Sequence, residues 1–210
     1  MFAGDQLSSP IHQTQYLRET RMEILNRRRP HSYGPVRLLF MGIVITLAGN
    51  VFGQSVEEYA LKAAFLYNFT KFVEWPPASM AGKTFTIGIF GDDPFGHVID
   101  DVTRGKTVSG REIRIRRLKE PAEARECNIV FVSSTDRKKI QELLDATNGP
   151  AVLTVGENRE FLIQGGIIHF SIEANHVGIV INKAAAAARG LTVSAKLLSL
   201  AKIYDKATEK

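Results

Sequence analysis

Short apolar runs rich in β-branched residues alternate with helical segments along this chain, and that order restricts the fold more than any other feature. TFTIGIFG, from Thr84 to Gly91, is bounded by glycine and apolar enough to be a strand buried on both faces. HVIDDVTRG reads as a short helix, VSGREIRIRRL (Val108 to Leu118) as a turn and an alternating strand, and Pro121 to Glu126 as a brief helical stretch. A third strand spans Cys127 to Val132. Ser133, Ser134, Thr135 and Asp136 then offer side-chain oxygens that cap a helix from Arg137 to Ala146, which Asn148-Gly149-Pro150 ends. Ala151 to Val155 is a fourth strand. Repeated strand, loop and helix in this order call for a largely parallel sheet with helices on both faces.

The pattern changes after Gly165-Gly166. IIHFSIEANHVGIVIN holds two alternating runs around Glu173 to His176, the signature of an antiparallel hairpin. The tail from Lys183 to Ala207 reads as helical, broken at Arg189-Gly190, with a second amphipathic helix from Ser194 through Leu197, Leu198 and Tyr204. The expected architecture is a single Rossmann-like α/β domain, its sheet mostly parallel, helices on both faces, closed by a C-terminal antiparallel hairpin.

Ahead of the strands, EEYALKAAFLYNFTKFVEWPP (Glu57 to Pro77) reads as one amphipathic helix stopped by a double proline. Leu61, Ala64, Phe65, Phe69 and Phe72 recur at spacings of three and four and form the expected buried stripe. Glu58 and Lys62, four apart with the acid first, are expected on an exposed face. Phe72 and Trp75 form an aromatic exit that offers apolar area to a partner.

Arg27, Arg28, Arg29 and Arg37 precede an apolar run from Leu38 to Gly49, too short to span a bilayer comfortably and followed by small residues. This is the layout of a secretory signal peptide, with cleavage expected after Gly53; cleavage after Ala48, or retention as an anchor, are the alternatives. The division is therefore 1–53, an N-terminal extension and signal, and 54–210, one domain. Six of the 27 basic and three of the 22 acidic residues fall in 1–53, so the rest carries 21 against 19 and is nearly neutral. That balance removes the argument for nucleic acid, which needs clustered Lys and Arg. Cys127 is the single cysteine, so no internal disulfide forms, and its place in an apolar run points to burial.

No motif assembles a catalytic set, a cofactor cradle or a metal site. Gly88, Gly91 and Gly96 lack the G-x-G-x-x-G spacing, and Asp92 and Asp93 stand where a phosphate belongs. His97, His169 and His176 have no metal-ligand spacing, and His169 and His176 are expected to be structural or solvent-facing. One positional rule remains: ligands of open α/β sheets bind beyond the carboxyl ends of strands, which puts Asp92, Asp93, Ser133, Ser134 and Thr135 at a candidate pocket.

In this order and spacing, KAAFLYNFTKFVEWP, TIGIFGDDPFG, CNIVFVSS, VLTVGE, FLIQGGIIHFSIEANHVGIVIN and GLTVSAKLLSLAKIY resemble the YfiR/HmsC-like family of periplasmic proteins. The resemblance implies a non-enzymatic protein that acts by binding. It implies repression of an inner-membrane diguanylate cyclase through its periplasmic part, and hence control of cyclic di-GMP, exopolysaccharide and biofilm. It also implies sequestration by an outer-membrane lipoprotein and a homodimer. The alternative it leaves open is a small-molecule-binding or accessory module for a sensor histidine kinase or an outer-membrane receptor or transport system. Cys127 matches the cysteine that commonly opens the family's central strand.

Overall fold

In the computed structural model, residues 56–173 and 176–205 are described. The signal-peptide and cleavage expectations fall on 1–53, outside the described residues. Helix α1 runs through residues 56–72 and passes directly into a two-residue strand β1 (Val73–Glu74). It ends short of the double proline, because the chain turns extended to pair β1 antiparallel with β9 (Thr192–Val193), Val73 opposite Val193. Pro76 and Pro77 instead begin a 3-10 turn, Pro77–Met80.

The remaining strands are β2 (Thr84–Phe90), β3 (Thr107–Val108), β4 (Arg111–Leu118), β5 (Ile129–Val132), β6 (Leu153–Gly156), β7 (Ile168–Glu173), β8 (His176–Ile181) and β10 (Lys202–Ile203). They form one eight-stranded sheet in the order β10-β8-β7-β6-β5-β2-β4-β3. Strands β4, β2, β5, β6 and β7 are mutually parallel, β7 and β8 make the expected antiparallel hairpin, and β10 returns parallel to β8. The helices between are α2 (Val98–Thr103), α3 (Arg137–Ala146), α4 (Arg159–Ile163), α5 (Lys183–Ala188) and α6 (Ala195–Ser199).

The two sheet faces carry separate cores, as period-two strands buried on both sides require. Phe85, Ile87 and Ile89 of β2 point to one face, where they join Ala63, Leu66 and Phe69 of α1, Phe131, Phe170 and Ile181. Phe90, Val130 and Val132 join Leu118, Ile140, Leu143, Leu144 and Phe161 on the other. Gly88 sits mid-strand because Leu118 and Cys127 cover it: a Cβ there would stand 2.8 Å from the Cys127 sulfur.

Two further sequence expectations are corrected, and one element had no counterpart among them. The buried stripe of α1 is rotated by one residue: Lys62, Ala63, Leu66 and Phe69 are inside, Phe65 and Phe72 are half-buried, and Leu61 is 45% exposed. The cause is Lys62, which is charged yet inward. The tail is not a long second helix: α6 stops at Ser199, and the chain straightens into β10, whose Lys202 and Ile203 pair with Val180 and Ile181. Helix α4, five residues long, is too short to show a period and was not expected.

Candidate functional site

An open depression of about 730 Å³ lies beyond the carboxyl ends of β5, β6 and β7, under the first turns of α1. Strands β5 and β6 send the residues that follow them into it, and β7 contributes side chains of its own. After β5 come Ser133, Ser134 and Thr135; after β6 come Glu157, Asn158 and Arg159; β7 contributes His169 and Ser171; α1 adds Glu58, Tyr59 and Lys62.

The loop after β6 is bent sharply by local chemistry. Gly156 and Gly166 leave room for the Phe161 ring, which a Cβ at either position would meet at 2.7 Å or less. Asn158 then caps α4, its Oδ1 accepting the Glu160 N–H at 2.9 Å. The bend brings Glu157 against α1. There Lys62, 2% exposed, donates to both Glu58 and Glu157, and its ammonium stands 4.6 Å from the centre of the Tyr59 ring. Burial opposes the charge on Lys62, but its hydrogen bonds to Glu157 and Glu58 outweigh that and hold the ammonium above its usual pKa. Burial, with the negative charge of Glu157, raises the Tyr59 hydroxyl, which donates to Glu157 Oε2 at 3.4 Å.

His169 is 9% exposed, and its Nδ1 is buried without a hydrogen-bond partner among the described residues. Burial pushes it below the usual histidine range; Arg159 and Lys62 add to this, against an opposing pull from the Gly156 backbone. The imidazole is therefore neutral near pH 7. Of the two expectations for His169, solvent-facing or structural, the first does not hold: the imidazole is buried in the wall of the depression.

Of the five pocket residues named from the strand-end rule, three line the depression and two do not. Ser133 ties the segment after β5 to the end of β2 and the turn that follows it, its Oγ donating to the carbonyls of Phe90 and Asp92. Ser134 Oγ accepts the Asp136 N–H at 3.3 Å, and the Asp136 carboxylate caps α3 through Lys138 and Lys139. Thr135 is exposed on the rim. Asp92 is exposed away from the depression. Asp93 closes its own turn through the N–H groups of Phe95 and Gly96 and accepts from Arg117, which also grips Asp100 at 2.7 Å and holds that carboxyl below its usual range.

The aromatic exit is also tied inward. Trp75 packs edge-on to Phe85, ring centres 5.1 Å apart, and its Nε1 donates to the Asn128 carbonyl at 3.2 Å. Phe72 is half-buried, with the Lys196 ammonium 5.6 Å from its ring centre.

Lys62, Glu58, Glu157 and His169 are the residues that sequence reasoning did not bring together. A signal existed for one of them. Tyr59, Lys62, Ala63, Leu66 and Phe69 also fall at spacings of three and four, and a lysine inside such a stripe marks a buried charge awaiting a partner.

The sequence pattern described as YfiR/HmsC-like matches residues 59–202. No curated protein matches the chain. Among solved structures, a conserved domain protein from Vibrio cholerae O1 biovar El Tor str. N16961 is 13% identical with a TM-score of 0.43, over 61% of this chain and 57% of that one. The ABC domain in complex with L-Trp from Streptococcus pneumoniae is 12% identical with a TM-score of 0.46, over 69% of this chain and 60% of that one. The chain thus spans about three fifths of each of these two structures.

Proposed function

This chain belongs to the YfiR/HmsC-like family, and from that premise we propose that it is a periplasmic binding protein that restrains an inner-membrane diguanylate cyclase through the cyclase's periplasmic part. The observation that carries this reading is the extent of the family match, residues 59–202, which takes in the sheet and both of its helical layers. On this reading residues 1–53 direct export and are removed. An outer-membrane lipoprotein relieves the restraint by sequestering the protein, and the active form is a homodimer. Apolar side chains left in solvent support a role in binding. Leu200 is 72% exposed in the same C-terminal segment as Lys196, the residue that stands over Phe72. On this reading the partner face lies around Phe72, Trp75 and that segment.

Cellular cyclic di-GMP in a strain lacking the gene tests the proposal, beside strains restored with the complete chain and with a chain lacking residues 1–53. A rise that only the complete chain reverses is the expected result. An unchanged level rejects restraint of a cyclase. A second reading, an accessory module that senses a small molecule for a sensor kinase or an outer-membrane receptor, is favoured by the depression around Lys62 and Glu157.

A further inference from the structure

The ion cluster in the depression presents its two signs unequally. The Lys62 side chain is 3% exposed, whereas those of Glu58 and Glu157, which enclose it, are 30% and 24% exposed. What an arriving molecule meets at the cluster is therefore carboxylate oxygen, with the neutralising ammonium behind it. A second observation points the same way. The His169 Nδ1, in the wall of the same depression, is an unpartnered polar atom on a side chain nine-tenths buried, and a neutral imidazole can offer a lone pair there. Val132, Phe170 and Ile172 supply the apolar part of the lining, which Ser134, Ser171 and Arg159 also share.

We propose that this depression binds a small molecule carrying a primary ammonium group on a short apolar body, the ammonium seated on the outer oxygens of Glu58 and Glu157 with His169 as a further acceptor. An ammonium supplies three donors and no acceptor, which matches a surface of carboxylate and imidazole acceptors. An anion there meets two carboxylates before it can reach Lys62. The proposal gives a ligand class to the accessory-module reading, yet binding to purified protein is independent of which membrane protein is the client. A failure of either is thus visible without the other.

The test uses protein purified after expression of the complete chain and three probes of nearly equal shape: n-butylamine, butyrate and butanol, at matched ionic strength and neutral pH. Butylamine is expected to raise the thermal midpoint saturably, and butyrate and butanol to leave it unchanged. Glu58→Gln, which leaves Lys62 its bond to Glu157, is expected to weaken butylamine binding at least tenfold. Because that change also touches a buried ion pair, Thr135→Lys on the exposed rim is the second variant. It adds a cation without disturbing the cluster and is expected to weaken binding similarly while the circular dichroism spectrum stays that of the parent. Stabilisation by butyrate in place of butylamine, no response to butylamine, or undiminished butylamine binding by the folded Thr135→Lys protein overturns the assignment.

Discussion

The Arg189 guanidinium donates its Nε to the carbonyl of Thr147, forty-two residues earlier, at 3.3 Å. Its Nη1 reaches the carbonyls of Gly165 and Ala185. The side chain is 9% exposed, burial depresses its pKa, and among the described residues no carboxylate lies within ion-pair distance. A buried cation held by carbonyl oxygens pins the end of α3, the loop after α4 and helix α5 to one another. Arg189→Ala leaves those carbonyls without their donor and is expected to destabilise by about 2–4 kcal/mol, since hydrogen bonds to charged groups contribute more than neutral ones. Arg189→Met fills the same space without a charge to desolvate and is expected to lose less. Urea unfolding of both variants checks the order; a larger loss for methionine contradicts it.

Trp75 joins α1 to the sheet through Asn128, whose side chain in turn accepts the Thr86 N–H at 2.9 Å and donates to the Ser79 carbonyl. Trp75→Phe keeps an aromatic ring over Phe85 but removes the indole donor, and is expected to lower stability by about 1–2 kcal/mol. A shift in the denaturation midpoint at constant slope is the expected observation. Wild-type stability together with lost restraint of the client assigns Trp75 to the partner face alone.

His169 is depressed in the folded protein, so between its folded pKa and the ordinary value near 6.5 the unfolded chain binds the extra proton. Stability is fully present above pH 6.5, falls as the pH drops below it, and stops falling once the folded imidazole is itself protonated. Thermal midpoints measured from pH 7.5 to 5 are expected to decline for the parent and to decline less for His169→Gln. Parallel curves for the two proteins remove His169 as the cause.

Burial pushes the Cys127 thiol up to about 12, with Arg116 only partly offsetting it. The thiolate is the reactive form. Iodoacetamide at pH 8 is therefore expected to leave the native protein unlabelled over an hour and to label it fully in denaturant. Rapid labelling of the native protein means that β5 opens far more readily than its packing allows.

The legible parts of the fold were those whose burial leaves a mark on neighbouring residues. Strands β2, β5 and β6 are covered on both faces and read as unbroken apolar runs, and β7 with β8 alternates around its turn. Helix α3 was bounded correctly because Asp136 supplies its cap. Strands β1, β9 and β10 are two residues each, below the length at which any period appears. The rotation of α1 was hidden because Glu58 and Lys62 make a good solvent pair on local evidence. The partner that turns Lys62 inward, Glu157, is ninety-five residues away. The depression was legible to the same extent: the strand-end rule reached Ser133, Ser134 and Thr135, while the groups that give the site its charge depend on contacts between distant segments.

The pairing of Val73 with Val193 also has a bearing on how the chain is made. A polypeptide emerging N-terminus first, from a ribosome or through a membrane pore, presents the apolar side of α1 long before Phe170 and Val193 exist to receive it. Contacts of such long sequence separation slow folding and lengthen the time that apolar surface is open to other chains. Closure of the domain therefore waits on nearly the whole chain, because the strand that receives the end of α1 is among the last to be made.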